Sequence, residues 1–167
     1  MYPASAFPSA TNRAGGATGQ TVGGRHGCYS PPMGTVRIEH VALWTDDLDR
    51  LASFYARYFD ARIGDAYRND AKGFESRFVE FDEAGARLEL MRSTRLRPVV
   101  LASGAQRMGL THLALTVGRE ADVDTLTARL RSDGYEVLDG PRRTGDGYYE
   151  SVVLDPDGNR LELSAAR

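Results

Sequence analysis

A single cysteine, Cys28, stands among 167 residues, which excludes an intrachain disulfide and a thiolate-rich zinc site. Basic charge is short as well. Against 23 Asp and Glu there are 21 Lys and Arg, and a formal net charge of -2 lacks the cationic excess that phosphate neutralisation needs. No run of 18 apolar residues occurs, so no membrane span is expected. Neither a phosphate-cradling glycine loop nor a G-x-S-x-G elbow is present. These absences predict a protein of the reducing cytoplasm, with no nucleic acid and no membrane involved.

Residues 1–34 are rich in Gly, Ser, Ala, Thr and Pro and have no apolar period. They lack the continuous hydrophobic stretch of a signal peptide and are read as a disordered tail. His26 and Cys28 fall in it, and a lone pair of donors in such a segment is a poor metal site. The patterned sequence starts just after Met33, and residues 35–167 are assigned to one domain.

That domain repeats itself. IEHVAL at Ile38–Leu43 answers LTHLAL at Leu110–Leu115, and GARLEL at Gly85–Leu90 answers GNRLEL at Gly158–Leu163. The offsets are 72 and 73, so His40 corresponds to His112 and Glu89 to Glu162. Near-constant offsets over two separate segments imply a duplicated module. Module one covers about 36–92, a linker about 93–108, and module two about 109–165.

Within module one, the alternation of Val36–Trp44 predicts a strand. Thr45 and Asp46 then offer N-caps for a helix over about 47–59, with Leu48, Leu51, Phe54, Tyr55 and Tyr58 on its apolar stripe. Strands are expected near 61–68, 74–81 and 86–91. Module two predicts a strand over 110–117 and a helix near 121–131 with Val123, Leu126 and Leu130 aligned. Gly134 sits where that helix should end. Strands follow near 136–138, 149–154 and 160–164. The order is βαβββ twice, an α+β fold in which the modules form a curved mixed sheet with helices on its outer face.

Strand parity then sorts the side chains. Val41, Leu43, Leu88, Leu90, Leu113, Leu115, Leu161 and Leu163 face the helices. His40, Glu89, His112 and Glu162 take the opposite face and are expected to meet on one concave surface. A carboxylate in an apolar strand requires water or a partner, and a divalent metal ion is the partner this set suggests. Two imidazoles and two carboxylates without thiolate suit Zn or Ni, with Co, Mn and Fe(II) as further fits.

The motifs IEHVALWTDDL, FYARYFDA, GARLELM, LTHLALTV and DPDGNRLEL resemble those of the vicinal oxygen chelate superfamily over about 36–164. That group includes glyoxalase I, methylmalonyl-CoA epimerase, fosfomycin-resistance thiol transferases, extradiol dioxygenases and bleomycin-binding proteins. The His, Glu, His, Glu pattern of the glyoxalase I branch falls on His40, Glu89, His112 and Glu162. The resemblance implies a metal-dependent lyase or isomerase of a small carbonyl compound, similar to lactoylglutathione lyase, working through a metal-stabilised enediolate. It implies Glu162 as base with Glu89 as the second candidate, and a homodimer. The alternatives within the superfamily are an epimerase, a thiol transferase, or a metal-free drug-sequestering module.

Two positions depart from that branch. Trp44 stands where an arginine usually binds a glutathione carboxylate, and Ser93 where asparagine is usual; Trp44 suits a flatter or more apolar substrate, or a core or interface role. Arg142 and Arg143, before TGDGYY, are the anion-binding candidates. Arg92, Arg95, Arg97 and Arg107 read more plainly as a solvated linker. Glu75 and Glu150 echo one another as groups that orient ligands or as polar strand residues. Asp155 and Asp157 of DPDGN suit a turn.

Overall fold

The computed structural model describes residues 36–82, 85–97, 102–106 and 108–167. The tail expected over 1–34 and the linker's Arg107 lie outside these residues.

In module one, strand β1 (His40–Trp44) leads into helix α1 (Leu48–Phe59). Asp47 caps the helix, its carboxylate accepting from Arg50 N at 3.0 Å, so the cap falls one residue later than Thr45–Asp46 suggested. Thr45 Oγ1 instead accepts from Asp47 N, a turn that leads into the cap. The strand expected over 61–68 divides at Gly64 and Asp65 into β2 (Arg62–Ile63) and β3 (Tyr67–Asn69). Both pair antiparallel with β4 (Phe74–Glu80), and Gly64 N donates to Phe78 O at 2.9 Å between them. Strand β5 (Arg87–Ser93) pairs antiparallel with β4 and parallel with β1. The sheet order is β1-β5-β4-β2, with β3 also on β4.

Module two repeats the plan with β6 (Leu113–Gly118), α2 (Glu120–Ser132), β7 (Val137–Arg143), β8 (Tyr149–Leu154) and β9 (Arg160–Ala165) in the order β6-β9-β8-β7. Helix α2 ends as Gly134 predicted. Gly134 N donates to Arg131 O and Tyr135 N to Leu130 O, the paired bonds of a Schellman motif, with Gly134 at φ +90. Strand β7 runs five residues past its expected end, to Arg143.

Each helix covers one face of its own sheet. Leu51, Phe54 and Tyr55 of α1 are buried with Leu43, Val79, Leu88 and Leu90, and Val123 and Leu130 of α2 with Val153, Leu161 and Leu163. The parity expected of the leucines in β5 and β9 holds in both modules. Arg37–Arg167 form one unit, and α1 joins the modules. The Phe54 ring lies 4.9 Å from that of Tyr135, and the Tyr58 hydroxyl donates to Asp133 at 2.5 Å. At the other end of α1, Arg50 pairs with Asp157. Among the described residues no helix is long and apolar enough to cross a membrane.

Candidate metal centre

The parallel pairing of β1 with β5 sets Ala42 opposite Glu89, and that of β6 with β9 sets Ala114 opposite Glu162. His40 and His112 each precede the facing alanine by two residues and so share its side of the strand. The duplicated motifs thus produce one register twice. His40 Nε2 lies 3.6 Å from Glu89 Oε2, and His112 Nε2 lies 3.4 Å from Glu162 Oε2. The histidine side chains are 38% and 40% exposed and the glutamates 18% and 19%, so each pair opens to solvent at the imidazole.

These separations bear on what the pairs can hold. They exceed a normal N–H···O hydrogen bond. Two donors each about 2.1 Å from one tetrahedral ion lie about 3.4 Å apart, so each pair fits two neighbouring positions of a metal shell. The donor chemistry, one imidazole and one carboxylate per pair, also fits a divalent ion.

The two pairs do not meet within one chain. Among the described residues no three His, Cys, Asp or Glu lie close enough to hold a metal ion together. Parity settles which side of a sheet a residue takes, but not how two sheets are placed. Here the modules meet through α1, Tyr135 and the turn between β8 and β9.

Module one adds a brace that the repeat did not foretell. His40 Nδ1 is hydrogen-bonded to the Glu39 carboxylate, which also accepts from Arg87. The bond to His40, followed by that to Arg87, holds the Glu39 carboxyl below its ordinary value against an opposing effect of desolvation. A carboxylate on Nδ1 leaves Nε2 as the candidate ligand atom and orients the ring. The guanidinium of Arg87 in turn lies 4.0 Å over Phe78, whose ring meets His40 edge-on at 5.6 Å. In module two the residue before the histidine is Thr111, so the brace is where the echo between IEH and LTH fails.

The other candidates divide. Trp44 is 51% exposed and edge-to-face with Phe74 at 6.3 Å. It also lines a cleft of about 980 Å³ with Arg50, Arg92, Arg97, His112 and Arg160. Arg142 and Arg143 do not line this cleft; Arg142 Nε donates to Asp139 at 2.8 Å and Arg143 pairs with Glu120. Two of the linker arginines therefore border the opening, and the pair before TGDGYY does not. Glu75 sits between Arg68 (3.3 Å) and Arg92 (3.7 Å). Glu150, opposite Ser164 on β9, has its carboxyl pushed up by burial and then by the charge of Glu162. Asp155 organises the DPDGN turn, accepting from Asp157 N, Asn159 N and Asn159 Nδ2, each at 2.9 Å.

A family model described as Glyoxalase/Bleomycin resistance protein/Dioxygenase superfamily matches residues 37–163. The uncharacterized protein YqjT of Bacillus subtilis is 40% identical over 62 residues, a match spanning 35% of this chain and 48%, about half, of that relative. Among solved structures, a glyoxylase/bleomycin resistance protein/dioxygenase domain from Frankia sp. EAN1pec superposes with a TM-score of 0.66 at 22% identity, covering 80% of this chain and 100% of that one. The trypanothione-dependent glyoxalase I of Leishmania major gives 0.62 at 21% identity, covering 78% and 87%. At these identities the likeness is one of fold.

Proposed function

The chain belongs to the glyoxalase/bleomycin resistance protein/dioxygenase superfamily, and on that premise we propose that it is a metal-dependent lyase or isomerase of a small carbonyl compound. The observation that carries this reading is the repeated pair: His40 with Glu89 and His112 with Glu162, in one register, at 3.6 and 3.4 Å. A ligand set split into two equivalent halves, each open to solvent, is completed by a second copy of the chain. In a two-fold homodimer, His40 and Glu89 of one copy face His112 and Glu162 of the other, and the dimer carries two such sites.

Zn or Ni fits this set best, with Co, Mn and Fe(II) also compatible. Bound there, the ion would supply Lewis-acid stabilisation to negative charge developing on adjacent substrate oxygens. The remaining work falls to the chain. Glu39 and Arg87 hold His40 in place beside Glu89, which suits that pair to positioning. Glu162 takes the proton from the acidic carbon and returns it to the neighbouring one, a transfer suited to a carboxylate in reach of both carbons. Glu89 is the opposite carboxylate and the alternative base.

Metal content of untagged protein, measured by mass spectrometry, tests the reading. Near-stoichiometric divalent metal that disappears in Glu89→Ala/Glu162→Ala supports it. Absence of metal from both proteins after reconstitution sinks it and leaves a metal-free binding module.

A further inference from the structure

The face that carries the His40–Glu89 pair continues into an uncharged row with an aromatic side chain at each end. Strand register defines the rows. Ala42, Glu89 and Phe78 lie opposite one another across β1, β5 and β4, and the next row on the same face is Trp44, Met91, Ser76 and Tyr67. Successive rows on one face are about 7 Å apart along a strand. Phe74, one row further on, links the two large rings, at 6.3 Å and 88° from Trp44 and 6.2 Å and 59° from Tyr67. Trp44 and Tyr67 nevertheless leave 51% and 57% of their surface in solvent.

We propose that this row is the wall of a binding site for a flat apolar group. The molecule processed at the centre then carries an aromatic or similarly planar substituent that extends from the oxygens held beside His40 and Glu89 towards the next row. This rests on the metal-site reading above and names its substrate class. The chemistry of the row carries the argument. None of its four side chains is charged, so the row itself gives a carboxylate or ammonium group no partner; the arginines of the cleft that Trp44 also lines stand outside the row. Ring edges and faces at Trp44, Tyr67 and Phe74, with the polarisable thioether of Met91, instead suit a planar ring. Continuity with the His–Glu pair on the same face sets the occupant as one molecule that spans both features.

The probes are 3-phenyllactate and lactate, which present the same adjacent oxygens and differ by a phenyl ring. Trp44 is the sole tryptophan of the chain, so its emission reports the wall directly. In the full chain loaded with Zn2+, 3-phenyllactate is expected to bind about tenfold tighter than lactate and to change Trp44 emission. By calorimetry, Trp44→Ala brings the affinity ratio near one, whereas Trp44→Phe retains most of it; a purely structural role would not separate the two variants. Repetition without zinc distinguishes this inference from the reading it rests on. If zinc does not bind but the ring preference persists, the metal site fails and the wall stands. If zinc binds and both acids bind equally, the wall is overturned and the metal site stands. Emission that shifts with protein concentration and not with 3-phenyllactate also overturns it, because a second copy then covers Trp44.

Discussion

The hydroxyl of Tyr55, in the helix of module one, donates a 3.1 Å buried hydrogen bond to Asp155 Oδ2, in the turn of module two. Tyr55 is fully buried and Asp155 is 4% exposed, so the bond sits at the junction that fixes how the two modules face. It also raises the tyrosine's pKa, after burial and the charge of Asp155, keeping the hydroxyl a donor throughout the accessible range.

Loss of this bond is expected to be felt as stability. Tyr55→Phe keeps the ring and leaves Asp155 its three partners in the turn, so it should cost about 1 kcal/mol. Asp155→Ala strips the turn and leaves a buried hydroxyl and several N–H groups unsatisfied, and should cost about 3 kcal/mol. Urea unfolding followed by circular dichroism checks both. Equal costs for the two variants would mean that the turn's internal bonds contribute little.

The same aspartate makes stability depend on pH. Burial pushes the Asp155 carboxyl up from an ordinary value of 3.8, and the bonds from Asn159 and Asp157 only partly oppose it. A folded-state pKa above the unfolded one means that the folded form binds the proton more readily. The stabilising contribution is therefore complete below the unfolded value and is lost as pH rises through the folded one. Asp155→Asn, which cannot ionise, should lose this component. The stability of wild type relative to that variant is expected to fall as pH climbs from about 4 towards neutrality, read from urea midpoints at a series of pH values. A difference independent of pH would sink the assignment.

Much of this arrangement was legible beforehand. The apolar stripe of α1, the leucine parity of β5 and β9, the limits of β8 and the equivalence of the His–Glu pairs all follow from local period and repeat. Tyr55 marks where that logic stops. It belongs to the predicted stripe, but the stripe does not say that its hydroxyl continues past its own sheet to a turn a hundred residues on. For the same reason parity places the four candidate ligands on one face, while among the described residues the two pairs do not come together within a chain. Glu39 carries no signal in the repeat because it has no counterpart in module two.

The brace on His40 should be visible in metal affinity. Removing the Glu39 carboxylate frees the Nδ1 side of the ring, and outer carboxylates of this kind are commonly worth about tenfold or more in affinity. Glu39→Ala is therefore expected to weaken Zn2+ binding about tenfold in competition with a chelator, while Thr111→Ala, at the equivalent position of module two, leaves it unchanged. Equal effects from both would remove the asymmetry between the halves.

The proposed division of ligands between two copies makes the sharpest prediction. A chain lacking the first pair (His40→Ala/Glu89→Ala) and a chain lacking the second (His112→Ala/Glu162→Ala) should each bind almost no metal alone. Mixed through a denaturation and refolding cycle, they form heterodimers in which one site has lost both pairs and the other has kept both. Random pairing makes half the dimers mixed, each with one of two sites intact, so metal content should recover to about a quarter of wild type. If all four ligands served within one chain, neither variant would hold an intact set and mixing would restore nothing. Each surviving pair is intact in its own chain, so the recovery measures whether two copies bring the pairs together.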